Sequence, residues 1–416
     1  MNLDTARTDS SLFSRFSPTA EDPIFKLLGQ FRADQNPQKI DLGIGVYRDE
    51  NGGSPIFQAV KQSEIIKLDT ELEKTYIGPR GDGAYIDVIQ KLIFKPQFLA
   101  ANSCRLASLQ TPGGSCALRM AFDLVARGHQ DATVWLSNPT WQVHRPIIQA
   151  SGLKTASYPY YGKATHSLAF AEMLATLASA EPGDIVLIQA SCQNPTGCDM
   201  NPQQWAELTE LLKKKHIVPL IDMAYHGLGN GLVEDAAGLN IMAAELPELI
   251  VSYTCSKNFG LYRDRAGLLT VLSESQKQAD IIQNILVDIA TGLYFTPPSH
   301  PGAVVKEILT DTALSALWKQ ELSDVRKRIN LVRRELSYSL ISLGIDAGYL
   351  ADQSGMFSLL DLTYEQIVTM REKYSIYIVG SGRINIAGIN SNNINYFIDS
   401  YSKVVGEYRS KKAVTF

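Results

Sequence analysis

A chain of 416 residues, 45% hydrophobic and 20% charged, has the composition of an ordinary globular protein and the length of about two to three domains. Its formal net charge of −4 offers no basic face to nucleic acid, and no apolar run approaches a membrane span. Five cysteines without CxxC spacing point away from a disulfide framework and toward a reducing compartment, and six histidines without HxxxH or HExxH spacing give a catalytic metal no support.

The opening MNLDTARTDSSLFSRFSPTA lacks the continuous apolar core of a secretion signal and reads as an N-terminal arm. From about residue 105 to 270 the runs TVWLSNP, IVLIQAS, IVPLIDMAY, LIVSYTC and AGLLTVL alternate with helical patterns such as PQQWAELTELLKKKH. Alternation of this kind predicts a mostly parallel sheet wrapped by helices, with its site beyond the carboxyl ends of the strands. A long charged helical segment over about 310 to 340 then leads to a smaller α+β region with strands near MFSLLDL and YIVGSGRINIAG, packed with the chain before residue 54.

Several predicted strands end in chemically useful residues: Asn138, Asn194, Asp222 and Lys257. Lys257 follows the β-rich run LIVSYTCS, where desolvation and the neighbouring Arg263 or Arg265 would lower its pKa and free the amine to attack a carbonyl. Asp222 closes an apolar run, where a carboxylate needs a partner. A pyridinium nitrogen is one such partner and helix capping is the plainer role. Tyr225, three residues on, suits a hydrogen bond to a ring hydroxyl or half-buried packing.

In TPGGSCALRMAFDLV two glycines, Gly113 and Gly114, and Ser115 open an amphipathic helix, an arrangement that binds phosphate or forms a plain capped turn. The glycines of YIGPRGDG do not follow the GxGxxG order of a dinucleotide fold. SNPTWQVH and CQNPTGCDM each contain an Asn-Pro-Thr turn. Trp141 in the first suits stacking on a planar cofactor or core packing. Arg383 in SGRINIAG suits a bidentate grip on a substrate carboxylate or a surface ion pair.

Taken in order, DLGIGVYRDENG, TYIGPRGDG, TPGGSCALR, SNPTW, QNPTG, IDMAYHG, SKNFGLYRDRAG and SGRINIAG resemble the aspartate and aromatic amino-acid aminotransferases, the class I branch of fold-type I pyridoxal-phosphate enzymes. The resemblance spans about residues 20 to 400. It implies an α/β fold with a large domain over 54–320, a smaller α+β domain built from 20–53 and 321–416, and an arm over 1–19. It also implies a homodimer that transfers an amino group from an amino acid to a 2-oxo acid, and the cysteine pattern gives the cytoplasm as the expected compartment.

By the same resemblance Lys257 would hold pyridoxal 5'-phosphate as a Schiff base and shuttle a proton. Asp222 would pair with the pyridinium nitrogen, Tyr225 and Asn194 would bond the ring oxygen, and Trp141 would stack on the ring. Gly114, Ser115, Thr254 and Arg265 would bind the phosphate, with Tyr76 supplied by the partner subunit. Arg383, Asn194 and the backbone at Gly45 would hold the substrate α-carboxylate.

Two segments depart from the pattern. Most relatives of this family carry an arginine shortly before PP-S/A-H-G that pairs with a distal carboxylate. Here that place falls at about Thr291, and no arginine or lysine occurs from Ile281 to His300. The HNPTG of close relatives reads QNPTG, with Gln193. YRDRAG, with Tyr262 and Arg263, looks more like the aromatic-preferring members. The expected substrate is therefore an aromatic or other large amino acid. The alternatives are aspartate with 2-oxoglutarate, or a cationic or specialised side chain facing Asp288. Elimination or decarboxylation on the same fold, a silent binding protein and a nicotinamide dehydrogenase account for fewer of these residues.

Overall fold

The computed structural model describes residues 13–18 and 22–414. The expected arm over 1–19 lies mostly outside the described residues. The central element is a seven-stranded sheet built from β1 (Leu106–Thr111), β2 (Thr133–Asn138), β3 (Lys154–Pro159), β4 (Ile185–Gln189), β5 (Val218–Met223), β6 (Leu249–Thr254) and β7 (Gly267–Leu272). Its spatial order is β1-β7-β6-β5-β4-β2-β3. The pairs β2–β3, β2–β4, β4–β5 and β5–β6 are parallel. β7 alone runs against both neighbours, β1 and β6.

The strands at the centre read as continuous apolar runs because both of their faces are covered: Ile185–Gln189 and Leu249–Thr254 are buried at every position. β1 differs: it ends the sheet, yet Ser108, Gln110 and Thr111 are buried polar residues on it. Their hydrogen-bonding needs are met locally. Ser108 Oγ bonds Thr270 Oγ1 and accepts from Gln90, while the Gln110 amide bonds the Asp82 amide N–H and the Pro298 carbonyl.

The helices include α1 (Pro23–Ala33), α2 (Gly114–Gly128), α3 (Pro202–Lys215), α4 (Gln276–Leu293) and α5 (Thr312–Ser342). α3 begins with a complete capping box, Asn201 and Gln204 bonding each other's backbone, and Pro202 at its first turn. It ends where His216 turns left-handed. α5 is the long charged helix of the sequence reading. It buries Trp318, Leu322, Val325, Ile329, Val332 and Leu336 along one stripe.

One short pairing joins segments far apart in sequence, and a second lies within the C-terminal region. Ile40–Asp41 lies parallel to Ile376–Tyr377, and Phe357–Leu359 pairs with Arg383–Asn385. Residues 40–46 thus pack with the C-terminal region, Asn385 also donating to the Ile44 and Val46 carbonyls. Arg333 of α5 stiffens this part, bonding the carbonyls of Leu350, Ser354, Gly355 and Phe357 from a fully buried position.

Candidate active site

In a parallel sheet, every strand delivers its C-terminal residue to the same edge. Here β4 leads to Asn194, β5 carries Asp222 and leads to Tyr225, β6 ends at Thr254 and leads to Lys257, and β1 leads to Gly114. The reversed β7 reaches this edge with its beginning, so Arg265 arrives just ahead of Gly267. Gly267 is paired with Thr111 on one side and Thr254 on the other. A Cβ at Gly267 would lie 2.8 Å from the Gly113 backbone, so only glycine allows these connections to close up.

The residues converge on one cavity of about 400 Å³. Its lining includes Gly45, Gly114, Ser115, Trp141, Asn194, Asp222, Tyr225, Thr254, Lys257, Arg265 and Arg383, eleven of the thirteen residues expected from the sequence. Tyr76 and Thr291 are the other two, and neither lines it. Tyr76 is 80% exposed and meets Phe295 edge-on, with ring centres 5.5 Å apart. Thr291 is an exposed residue of α4 whose hydroxyl donates back to the Val287 carbonyl. Asp288 is a surface residue too, in an ion pair with Arg127.

One end of the cavity is built to receive an anion. Gly113 caps α2 with φ 77° and no side-chain cap, leaving the first turn of the helix to the cavity. A Cβ at Gly113 would fall 2.5 Å from Arg265 Nη2, so the guanidinium occupies space that only a glycine leaves open. Arg265 adopts a left-handed backbone, φ 69°, and donates from Nη1 to Ser256 Oγ at 3.2 Å and to the Tyr262 carbonyl at 3.2 Å. Thr254 Oγ1 and Ser256 Oγ stand 2.9 Å apart beside it.

The middle of the cavity holds the titratable groups. Lys257 Nζ lies 4.9 Å from the centre of the Tyr225 ring. Desolvation is the main cause that brings its pKa down to about 8, assisted by Arg265 and opposed by the Asp222 charge. Arg265 thus plays the part for which the sequence offered Arg263 as well; Arg263 is exposed. Asp222, 5% exposed, meets His144 Nε2 at 3.3 Å, and Thr140 Oγ1 stands 2.8 Å from His144 Nδ1. Burial holds the Tyr225 phenol well above its ordinary pKa, and its hydroxyl accepts from Asn194 Nδ2 at 3.3 Å.

At the far end Arg383 Nη1 donates to Asn194 Oδ1 at 3.3 Å and Nη2 to the Gly43 carbonyl at 2.5 Å. Its Nε is buried without a partner, and desolvation lowers its pKa. The guanidinium rests 4.5 Å from the centre of the Phe357 ring. A buried cation with a free donor calls for a carboxylate.

Several contributors were not read from the sequence. His144 lies one helical turn beyond Thr140 in PTWQVH, a spacing that could have flagged it. Ser256 directly precedes Lys257. Gln189 frames Asn194 by bonding both its backbone N–H and its carbonyl. Phe357, and Ile24 and Phe25 of α1, reach the cavity only through tertiary packing, and no local signal marks them.

The donor set fits pyridoxal phosphate: an anion cradle, a carboxylate for a ring nitrogen, a desolvated amine and an unsatisfied guanidinium. Known proteins agree with that fit. A family model described as aminotransferase class I and II matches residues 37–400. A tyrosine aminotransferase of Rhizobium meliloti is 42% identical over 91% of this chain and 96% of its own length. An aspartate aminotransferase of Escherichia coli is 40% identical over 92% and 97%. An aromatic-amino-acid aminotransferase of Burkholderia pseudomallei, solved covalently bound to pyridoxal phosphate, superposes with a TM-score of 0.92 at 36% identity, covering 95% of this chain and 99% of that one. The chain therefore belongs to the class I and II aminotransferase family.

Proposed function

We propose that the protein is a pyridoxal-phosphate-dependent aminotransferase that moves the amino group of an aromatic or other large L-amino acid to a 2-oxo acid in two half-reactions. The observation that carries it is the convergence of Lys257, Asp222 and Arg383 on one cavity. When bound, pyridoxal phosphate supplies an aldehyde for the amino group and a ring that draws off electrons from the bond broken at Cα.

The chain's residues divide the remaining work. Gly114, Ser115, Thr254 and Arg265, with Ser256, would hold the phosphate. Asp222 would keep a ring nitrogen protonated, and His144 steadies the carboxylate. Tyr225 and Asn194 would bond the ring oxygen, and the Trp141 indole would stack on the ring. Arg383, Asn194 and the Gly45 backbone grip the α-carboxylate, which fixes the amino acid so that its Cα proton faces Lys257. Lys257 Nζ would hold the aldehyde, and its free amine would take up that proton and return it, in either half-reaction.

The side-chain preference rests on what lines the cavity. Ile24, Phe25, Leu118, Trp141 and Phe357 are apolar walls, and the cations among the lining residues, Lys257, Arg265 and Arg383, each have another task. Among the described lining residues no further cation is left for a distal carboxylate. A second copy of the chain would complete the pocket. Tyr76 and Phe295, 80% and 52% exposed, are braced together as the Thr296 hydroxyl donates to the Gly78 carbonyl. Leu68 and Leu72, shortly before Tyr76 in the chain, are exposed as well, and exposed apolar residues of this kind suit a homodimer. A large domain over 54–320 and a smaller one from 20–53 and 321–416 are in keeping with the separate sheets. Among the described residues no helix is long and apolar enough to cross a membrane. All five thiols are free, which suits the cytoplasm.

A panel of single amino acids without acceptor tests the proposal through the visible cofactor band. Tyrosine, phenylalanine and tryptophan are expected to bleach it at lower concentration than aspartate or glutamate. Aspartate and glutamate as the best donors would overturn the side-chain reading. Release of ammonia or carbon dioxide independent of any 2-oxo acid would overturn transamination itself.

A further inference from the structure

We infer that Gln193 is a positioning residue for transamination: its side-chain amide locks together the two Asn-Pro turns that carry Trp141 and Asn194. The inference rests on the aminotransferase reading above.

The need for such a lock follows from the sheet. The ladder between β2 and β4 ends at Leu136 and Leu187, and beyond it the two chains continue into separate turns, Asn138–Trp141 and Asn194–Gly197. Gln193, 1% exposed, bridges them. Its Nε2 donates to the Pro139 carbonyl at 2.9 Å and to Ser137 Oγ at 3.4 Å. Its Oε1 accepts from the Thr196 amide N–H at 3.0 Å and from Thr196 Oγ1 at 2.5 Å. Both protons and both lone pairs of the amide are thereby used.

What the lock controls lies on either side. Pro139 leads directly to Thr140, which meets His144, which meets Asp222. One residue further is Trp141. On the other side Asn194 joins Tyr225 to Arg383. Gln193 does not line the cavity, yet it sets the spacing between Trp141 and His144 on one side and Asn194 on the other.

An imidazole cannot replace this amide at every pH. Neutral imidazole has one donor and one acceptor, enough for Pro139 and Thr196, whereas imidazolium has no acceptor. The charged and titratable groups around the turn include Asp199, Asp235, Arg333, Cys192, Cys198, Tyr160 and His144. Asp199 accepts from the Cys192 and Gln193 amides, and burial raises its carboxyl to about 6. Its titration is present in native and Gln193→Leu proteins as well, so a pH dependence confined to Gln193→His marks the imidazole.

The test uses the holoenzymes of Gln193→Leu and Gln193→His with the best amino donor of the panel. In Gln193→Leu, kcat/KM is expected to fall about tenfold or more, most of it as a rise in KM, with a shift in the pH midpoint of the visible cofactor band. In Gln193→His, KM is expected to stay within about threefold of native near pH 8 and to climb away below the ordinary imidazole pKa of about 6.5. A Gln193→Leu enzyme that loses melting temperature while keeping native KM and band midpoint would overturn the inference. If that variant does not fold, a Gln193→His enzyme whose KM ratio to native is unity across the same pH range overturns it equally. Failure of the native band to bleach with any amino acid would sink the aminotransferase reading together with this one, and is told apart from failure of this one alone, in which native protein bleaches and the variants match it.

Discussion

Lys257 stands over the face of Tyr225, Nζ 4.9 Å from the ring centre, so the amine and the phenol share one desolvated space. Removing each should have a different signature. Lys257→Ala is expected to lower turnover by about 10⁴-fold or more, since both the anchor and the proton carrier go. Mass spectrometry after hydride reduction should find no cofactor adduct on it. Tyr225→Phe keeps the ring beneath the amine and loses only the hydroxyl. It should retain the adduct and lose about 10-fold to 100-fold in kcat. Full turnover by Lys257→Ala would refute the assignment.

The lowered pKa of Lys257 also predicts how stability depends on pH in cofactor-free protein. The unfolded amine titrates near 10.5 and the folded one at about 8. Between these values the unfolded chain binds more protons, so stability rises with pH across that window. Below it the folded protein carries a poorly solvated cation at constant cost. Lys257→Met removes that cost, on the order of 3 kcal/mol at most at neutral pH. Denaturant melts should show the variant more stable at neutral pH, with the advantage shrinking as the solution becomes alkaline. An advantage that grows with pH would contradict the sign.

Arg383 offers a planar fork, with Nε still free. Arg383→Lys keeps the charge but replaces the fork by a single ammonium. The expected result is a fall in kcat/KM of about 10-fold to 100-fold, carried mainly by KM for amino and oxo acid alike. Cofactor affinity should be unchanged, which equilibrium dialysis can check.

Gly113→Ala strains the chain twice, through φ 77° and through the 2.5 Å approach of the new Cβ to Arg265 Nη2. The variant should lose about 1 kcal/mol of stability or more and bind pyridoxal phosphate at least about tenfold more weakly. Gly128, at the other end of the same helix, has nothing within 4 Å of its would-be Cβ and provides the control. Equal losses in Gly113→Ala and Gly128→Ala would leave the cradle without special standing.

The sequence reveals those parts of this fold whose signal is local. β2, β4, β5, β6 and β7 are visible as apolar runs because buried strands cannot hide their composition. β1 and β3 are not. Leu106–Thr111 places Ser108, Gln110 and Thr111 in the interior, where tertiary partners such as Thr270 and Asp82 satisfy them, and Lys154–Pro159 is an edge strand that is only partly buried. The same divide holds in the site. Lys257, Asp222 and Arg383 stand in recognisable segments, whereas Phe357 and Phe25 enter the cavity from elements whose sequences say only that they pack. The role of Gln193 emerges from a bond to Pro139, 54 residues away in the chain.

The one strand that runs backwards has a consequence for how tolerances are distributed. Thr254, Lys257 and Arg265 all sit on or next to the connection between β6 and β7, so the residue proposed for the aldehyde and several of those proposed for the phosphate belong to one continuous piece of backbone. Their mutual spacing is set within that loop. Arg383, by contrast, reaches the cavity from a two-stranded element paired with Phe357–Leu359, outside the central sheet. A rigid displacement of that element would re-aim the fork and resize the apolar walls while the cofactor stayed registered to its ruler, so drift in substrate range need not disturb the chemistry.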